Sequence, residues 1–351
     1  MLIQLHGAKK NVGDFLIRER ATRLLRTLLP QQDLVLHERW LPIDPALVER
    51  ADAILIGGGP GLASRFCPDV FPFLAERVSL PVFLIGVGWS GQPRDNPDAF
   101  QFSDESLEAL GRIHQSGIWS GVRDDLSLEL LRSANVGDVK RSGCVAWYDM
   151  DSMGRSLITP SVIRRIVFTP PAGRQFTLEA MRVLRYLARR FPKAERTCVF
   201  HRGIRNDEYT SWRAALASRA LARVASSCDF KVLDASYDLS AIDFYESTDV
   251  HVGYRVHAHL AFLSQRRPSI LVSEDGRGLG QAVSLGDPYQ LRAGDKTVLS
   301  DLGSAVDAEI SSSFVSSQRA VDEIERTWPV MRATVQQVST VSHNPRSTSR
   351  S

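Results

Sequence analysis

The sequence predicts an α/β protein of two domains, each with a mainly parallel sheet. At 351 residues the chain exceeds the size at which a single hydrophobic core usually stops growing. Apolar, strand-like runs alternate with helical patterns along the chain, as in folds with parallel sheets. Several of these runs end in glycines that lead into a helix, which predicts turns at the carboxyl edge of a sheet.

The first half of the chain contains the earliest of these strand–turn–helix units. A strand at residues 2–6 precedes a polar loop and an arginine-rich helix at residues 15–29, for which Asp14 is either the N-cap or a substrate contact. Further strands are predicted at residues 51–56, 81–88 and near 120. We therefore assign residues 1–152 to the first domain.

The second half repeats the alternation after a loosely patterned stretch at residues 149–160. We assign residues 160–315 to a second domain. A terminal helix at residues 316–338, bent or split at Pro329, could pack back on the first domain. The Ser/Thr/Arg/Pro-rich tail at residues 339–351 is predicted to be disordered.

Composition narrows the class of protein. Apolar residues make up 43% and charged residues 24%, which is ordinary for a globular chain, and a net charge of +3 gives no argument for nucleic acid. The four cysteines are widely spaced, so we expect free thiols in a reducing compartment. Without a signal peptide or transmembrane run, we expect a cytoplasmic protein, with peripheral attachment to the inner face of the membrane allowed.

The stretch at residues 249–263 carries the most informative chemistry. It begins as an apolar strand, turns at Gly253 and continues as an apolar helix. The first turn of a helix attracts anions, and Arg255 offers a planar fork for carboxylate or phosphate. His257 can move a proton near neutral pH. We interpret Arg255 and His257 as functional, and His251 and His259 as structural residues of the same segment.

Other turns offer weaker candidates. Gly58 and Gly59 follow a buried strand and let backbone N–H groups approach a ligand, although the third glycine of a dinucleotide fingerprint is missing. Arg123 at a helix start either holds an anion or pairs with Asp124 or Asp14. The polar loop at residues 201–208 is either a site loop or an ordinary solvated loop. The sequence shows no His/Cys ligand set, so we expect no metal site.

Taken together, these motifs resemble the polysaccharide pyruvyl transferase family. The resemblance rests on their order and spacing, with the Gly-x-Arg-x-His group as its hallmark. It departs from the family pattern at Gly121, Val145 and Arg277. The matching groups are Asn11 to Asp14, Ile54 to Gly59, Gly86 to Gly88, Arg123-Asp124, and Gly253, Arg255 and His257.

The resemblance implies two Rossmann-like domains that face a central cleft, similar to the B-type glycosyltransferases. It also implies a reaction in which pyruvate moves from phosphoenolpyruvate to a sugar of a polysaccharide or its lipid-linked precursor, commonly as a ketal. Phosphoenolpyruvate would be the donor substrate, with no further cofactor. The residues expected to bind the donor are Arg123, Gly253, Arg255 and Glu274, and those expected to bind the acceptor are Asn11, Asp14, Gly58, Gly59, His201 and Asp207.

Two other functions fit the same pattern. The first is a glycosyltransferase that uses a nucleotide sugar, which would need a base- and ribose-binding pocket in the second domain. The second is a non-catalytic family member that binds glycans without consuming phosphoenolpyruvate. The acceptor sugar and the oligomeric state do not follow from the sequence.

Overall fold

A computed structural model describes residues 1–76, 79–91, 99–114 and 118–342 of the chain. Its contacts divide the chain into two compact units. The first comprises Met1–Gly7, Ile17–Met150 and the chain from Arg326 onward, and the second comprises Ala8–Leu16 and Asp151–Glu325. The segment Ala8–Leu16 thus belongs to the second unit, whereas a division in chain order had assigned it to the first.

The first unit is built on a parallel sheet whose strand order is β2-β1-β3-β5-β6-β7, with β4 paired to β5. Its strands are β1 Leu2–His6, β2 Leu34–Glu38, β3 Ala53–Gly57, β4 Pro60–Leu62, β5 Val82–Trp89, β6 Ser120–Val122 and β7 Val139–Arg141. Its helices are α1 Val12–Leu28, which begins in the second unit, and α2 Pro45–Arg50, α3 Phe66–Asp69, α4 Asp104–His114 and α5 Asp125–Ser133. Strand β3 is buried along its whole length, as its unbroken apolar run predicts.

The second unit contains a parallel sheet of order β10-β9-β8-β11-β12. Its strands are β8 Arg165–Thr169, β9 Glu195–Phe200, β10 Phe230–Asp234, β11 Val250–Gly253 and β12 Ser269–Leu271. Its helices are α6 Thr177–Arg190, α7 Trp212–Ser227, α8 Val256–Ser264, α9 Gly276–Ser284, α10 Val298–Ser311 and the first part of α11 Val315–Ser342. The strand order reverses between β8 and β11, and the carboxyl ends of strands at such a reversal are the usual ligand site of an open α/β sheet.

The predicted α/β class with parallel sheets is confirmed, but several boundaries differ. Helix α1 begins at Val12, so Asp14 lies in its first turn rather than at its N-cap. The Asn11 side chain accepts a hydrogen bond from the Gly13 N–H at 3.4 Å, as a capping residue does. Helix α11 is continuous through Pro329 and extends to Ser342, so the predicted disordered tail begins as helix, and residues 343–351 lie outside the described part.

Within the described residues, no helix combines the length and the apolar character needed to cross a membrane. The four cysteines are free thiols, as expected, and three of them are buried. Burial raises the pKa of Cys144 to about 11, so this thiol stays protonated at neutral pH.

His251 and His259 are buried in the second unit, next to Ser269 at the start of β12. The two rings share the Ser269 hydroxyl, at 2.8 Å from His251 Nδ1 and 2.7 Å from His259 Nδ1, and His251 Nε2 lies 2.8 Å from Thr169 Oγ1. These contacts agree with the structural interpretation of both histidines. Burial lowers the pKa of His259 to about 3 and lowers the pKa of His251 well below its ordinary value.

This burial predicts a loss of stability on mild acidification. Below the ordinary histidine pKa of about 6.5, both histidines bind a proton in the unfolded chain but stay neutral in the folded chain. The free energy of unfolding therefore falls as the pH falls. The loss starts near pH 6.5 and amounts to about 1.4 kcal/mol per pH unit for each such histidine. Urea denaturation at pH 7.5 and pH 5.5 measures it. A His259→Asn variant should show a shallower dependence, and equal slopes in the two proteins would contradict the assignment.

Candidate active site

The turn after β11 lies at the strand-order reversal of the second unit. The Tyr254 N–H donates to the Thr169 carbonyl at 2.9 Å, and the Arg255 N–H donates to Thr169 Oγ1 at 3.3 Å. A Cβ on Gly253 would lie 2.5 Å from Thr169 Oγ1 and 2.6 Å from the Thr169 carbonyl oxygen. Glycine is therefore required where β11 passes β8. Arg255 is the N-cap of α8 and makes no side-chain cap bond, which leaves its side chain available for other contacts.

The Arg255 guanidinium is buried and held from two sides. Nη1 donates to Glu274 Oε1 at 3.1 Å, and Nη2 donates to Asn11 Oδ1 at 3.2 Å. Nε has no hydrogen-bond partner within the described part of the chain. Burial lowers the pKa of Arg255, while the Glu274 carboxylate opposes that change. The arginine thus holds its unpaired Nε–H in a fixed orientation, which suits an anionic ligand.

Glu274 supports this arrangement rather than offering itself to a ligand. Its carboxylate accepts hydrogen bonds from the Ala172 N–H at 2.8 Å and the Gly173 N–H at 3.0 Å, in addition to Arg255. A carboxylate would also repel an anionic donor. These contacts make Glu274 a residue that positions Arg255 and the loop after β8, and the direct donor contact that the resemblance implied stays a prediction.

His201 lies in the same cluster, at the end of β9. Its Nε2 is 2.8 Å from the Tyr245 hydroxyl, and its Nδ1 has no partner among the described residues. Burial, and then the charges of Arg255 and His257, lower its pKa well below the ordinary value, so the ring is neutral at neutral pH. Burial raises the pKa of Tyr245, which keeps its proton. The neutral ring carries one proton, and we assign it to Nδ1, so that Nε2 accepts from the Tyr245 hydroxyl.

His257 is buried in the first turn of α8, against the Asn11–Gly13 turn. A Cβ at Gly13 would overlap its imidazole ring. The Val12 N–H donates to the His201 carbonyl at 3.0 Å, which holds the turn in place. The Asn-x-Gly-Asp and Gly-x-Arg-x-His groups, far apart in the sequence, therefore meet in one cluster of the second unit.

Lys10 anchors the segment that carries Asn11. Its Nζ donates to Asp207 Oδ2 at 2.5 Å and to Thr210 Oγ1 at 2.8 Å. Asp207 also accepts hydrogen bonds from the Tyr237 hydroxyl and the Tyr209 N–H, each at 3.0 Å. The ion pair with Lys10 is the main reason why the pKa of Asp207 is lowered. These contacts give Asp207 a structural role that the sequence did not reveal.

A cavity of about 360 Å³ opens beside Arg255, at the carboxyl ends of β8 and β9. Its lining contains three arginines, Arg174, Arg202 and Arg255, together with His201, and no acidic side chain among the described residues. Thr177 and Ser211, at the amino ends of α6 and α7, also line it. Arginines and helix amino ends both favour negative charge, so the cavity is suited to an anion.

The sequence profile described as polysaccharide pyruvyl transferase matches residues 11–276, from the Asn11 turn to just beyond Glu274. The chain belongs to this family. A search of curated proteins finds no match. The resemblance drawn from the motifs is thereby confirmed, and the protein is a polysaccharide pyruvyl transferase family member.

Several solved structures resemble this pyruvyl transferase family member in fold, at low sequence identity. S. aureus MnaA, solved with UDP, is 9% identical, with 97% of each chain covered and a TM-score of 0.60. The UDP-GlcNAc 2-epimerase from Neisseria meningitidis is 10% identical over 96% of this chain and 100% of that one, with a TM-score of 0.55. A glycosyltransferase from Rickettsia africae is 10% identical over 98% of each chain, with a TM-score of 0.53. These likenesses confirm the B-type glycosyltransferase fold class.

The remaining predicted site residues of this family member lie in the first unit. Arg123 Nε donates to Asp124 Oδ2 at 2.7 Å, and its Nη2 donates to the Trp89 carbonyl, so the structure favours the ion-pair alternative for this residue. Gly58 and Gly59 have φ values of +74° and +84°, which few other residues adopt. A Cβ on Gly58 would also press on Val145. Local packing accounts for Gly58 without a ligand.

Sequence reasoning missed Arg202, Lys10 and Tyr245 in this cluster. The position of Arg202, just after a strand and next to His201, could have indicated that it belongs to the site. Lys10 and Tyr245 gave none, because their roles arise from contacts with distant residues. No group of three or more metal-binding side chains occurs in the part of the chain that the structure describes.

The contact between Gly13 and His257 predicts the effect of one methyl group. Gly13→Ala should displace the imidazole and reduce transferase turnover by about 10²-fold, as small misplacements of catalytic groups do. Circular dichroism and turnover should both be measured. Gly111→Ala is the matched control, because a Cβ at Gly111 in α4 meets nothing within 4 Å. Wild-type turnover in Gly13→Ala would show that the imidazole position does not matter.

Proposed function

We propose that this protein transfers pyruvate from phosphoenolpyruvate to hydroxyl groups of a polysaccharide or its lipid-linked precursor, with formation of a ketal. Membership of the pyruvyl transferase family supports the transferase class. One observation supports phosphoenolpyruvate as the donor. Arg255 Nε and His201 Nδ1 are both buried without a hydrogen-bond partner among the described residues, and both residues line a cavity rich in arginine.

The donor is a small molecule with a carboxylate and a phosphate, so it needs several fixed donors of positive charge or hydrogen bonds. Arg255 Nε and His201 Nδ1 would bind one of these groups, and Arg202 would bind the other. Arg202 lies close enough to Arg255 to affect its pKa. The neutral state of His201 fits this role, because it donates one hydrogen bond without needing to titrate.

The chemistry is redox-neutral and balances without a further cofactor. A proton is added to C3 of the enol, which makes C2 electrophilic, and a sugar oxygen forms a bond to C2. A second sugar oxygen then bonds to C2 as the C2–O bond to phosphate breaks. Of the two hydroxyl protons released, one replaces the proton given to C3 and the other leaves with phosphate. We assign the proton given to C3 to His257, a step worth about 10²–10⁴ in rate.

The acceptor would be oriented by residues at the same turn. Asp14 lies in the first turn of α1, three residues after Asn11, whose side chain accepts a hydrogen bond from Arg255. We propose that Asp14 accepts a hydrogen bond from the attacking hydroxyl. Asn11 holds Arg255, and His201 moves from the predicted acceptor role to the donor role.

The decisive experiment incubates the protein with phosphoenolpyruvate and a panel of free and polyprenyl-linked oligosaccharides. The expected result is release of inorganic phosphate together with a product heavier by pyruvate less water. Phosphoenolpyruvate alone should raise the melting temperature. If UDP raises it and phosphoenolpyruvate does not, the nucleotide-sugar alternative replaces this proposal. Binding of glycan without phosphate release would favour a non-catalytic member.

A further inference from the structure

Helices α6 and α7 pack side by side in the second unit and expose one regular stripe each. The stripes follow the spacing i, i+4, i+7 and i+11, which places their residues on one face of a helix. All eight side chains are exposed: Leu178, Arg182, Arg185 and Arg189 on α6, and Trp212, Leu216, Arg219 and Arg223 on α7. In both helices the apolar residues come at the amino end and the arginines follow.

The two helices concentrate positive charge. Together they contain seven arginines and one glutamate, a net charge of +6, whereas the whole chain has a net charge of only +3. The glutamate, Glu179, already accepts hydrogen bonds from the Tyr254 hydroxyl and the Gly294 N–H, each at 2.8 Å. Arg190 pairs with Asp307, but the arginines of the stripes have no acidic partner in the described part of the chain. The excess charge is therefore exposed on one face.

Large apolar side chains stand beside this charge. Leu178 is 70% exposed, Trp212 is 64% exposed and Leu216 is 54% exposed. They are three of the four most exposed large hydrophobic side chains among the described residues, and all lie at the amino ends of α6 and α7. The Arg213 guanidinium lies 5.2 Å from the Trp212 ring centroid, and Lys9 Nζ lies 5.6 Å from that of the neighbouring Tyr209. Tryptophan and tyrosine beside basic residues are typical of a membrane–water interface.

We propose that the α6–α7 face docks on the surface of an anionic phospholipid bilayer. The arginines match the negative headgroups, and Leu178, Trp212 and Leu216 would enter the headgroup region. Nucleic acid would satisfy the arginines but not the exposed leucines. A second copy of the chain, paired face to face through a two-fold axis, would set these arginines against one another.

Docking in this orientation would bring the cavity to the lipid. Thr177 and Ser211 line the cavity, and each directly precedes an exposed apolar residue, Leu178 or Trp212. The cavity mouth would therefore lie at the level of the headgroups, where the sugar of a lipid-linked acceptor is found. This consequence rests on the proposed transferase function, whereas docking itself does not.

Co-sedimentation with vesicles tests the docking surface. The full chain should bind vesicles of phosphatidylglycerol and phosphatidylcholine in equal parts, should not bind phosphatidylcholine alone, and should dissociate as salt is added. Arg185→Gln with Arg219→Gln should weaken binding by about 25-fold, since each surface arginine contributes roughly fivefold. Trp212→Ser with Leu216→Ser should weaken it at least ~10-fold.

A matched control removes the same kinds of side chain elsewhere. Val162 is 62% exposed and Arg164 is exposed, both just before β8 and so at its amino end, away from the cavity. Val162→Ser with Arg164→Gln should bind vesicles as the wild type does. Absence of wild-type binding, or an equal loss in this control, would overturn the proposal. So would tight binding to labelled DNA without vesicle binding, or a dimer in sedimentation velocity that dissociates in Trp212→Ser with Leu216→Ser. Because no donor is present, this failure is distinct from failure of the transferase assay.

Discussion

Replacement of His257 with glutamine is expected to reduce pyruvyl transfer by about 10²–10⁴, the usual contribution of a proton-transferring side chain. Glutamine fills much of the space beside Gly13 and keeps a polar group, but it cannot carry a proton near neutral pH. Alanine is a poorer choice, because His257 is buried and its loss would leave a cavity. Phosphate release in the presence of acceptor measures the effect.

Donor affinity separates this result from a general loss of structure. The Kd for phosphoenolpyruvate, measured by calorimetry, should change little in His257→Gln, because Arg255 and His201 remain in place. His37→Gln is the matched control, since His37 lies on β2 of the first unit, outside the cluster. Undiminished turnover in His257→Gln, with donor binding intact, would remove His257 from the proton transfer.

Replacement of Arg255 with leucine is expected to abolish donor binding and to destabilise the fold. The change leaves the buried Glu274 carboxylate without its cationic partner, which costs about 3 kcal/mol. Glu274 also accepts hydrogen bonds from two backbone N–H groups, and these keep the loss of stability from being larger. Urea denaturation gives the free energy of unfolding, and calorimetry gives the affinity for phosphoenolpyruvate.

The double variant Arg255→Leu with Glu274→Gln distinguishes stability from function. Glutamine removes the unpaired charge and still accepts from the loop after β8, so most of the lost stability should return. Donor affinity should stay about 10²-fold below the wild type, since a hydrogen bond from a charged group to the anion is missing. The Glu274→Gln single variant completes the cycle. Recovery of donor binding in the double variant would mean that Arg255 acts only through the fold.

Local patterns predicted the elements around the site with small errors. The strand, the Gly253 turn and the helix that begins beyond Arg255 follow from apolar periodicity and one glycine, and the structure places β11 and α8 there. The boundary of α1 was wrong because Asn11, three residues before Asp14, is also a good capping residue. Nothing in the local pattern decides between two caps so close together.

The partners of the site residues were much harder to predict. Asp207 and Glu274 look like ligand contacts in the sequence, because carboxylates after strands often are. In the structure Asp207 holds Lys10, and Glu274 holds Arg255. Arg123 is bound to the adjacent Asp124. For Asp207 and Glu274 the partner comes from a distant part of the chain, which the local sequence does not show.

The sequence by itself determined the α/β class, the succession of strands and helices, and the family motifs, because these depend on residues that are near one another in the chain. Only the tertiary structure decided that Asn11 meets Arg255 across 244 positions, that His201 joins them, and that α6 and α7 collect positive charge on one face. The physical reason is the order of the strands. Parallel strands pair with neighbours that local periodicity does not specify, and that order determines which turns share an edge.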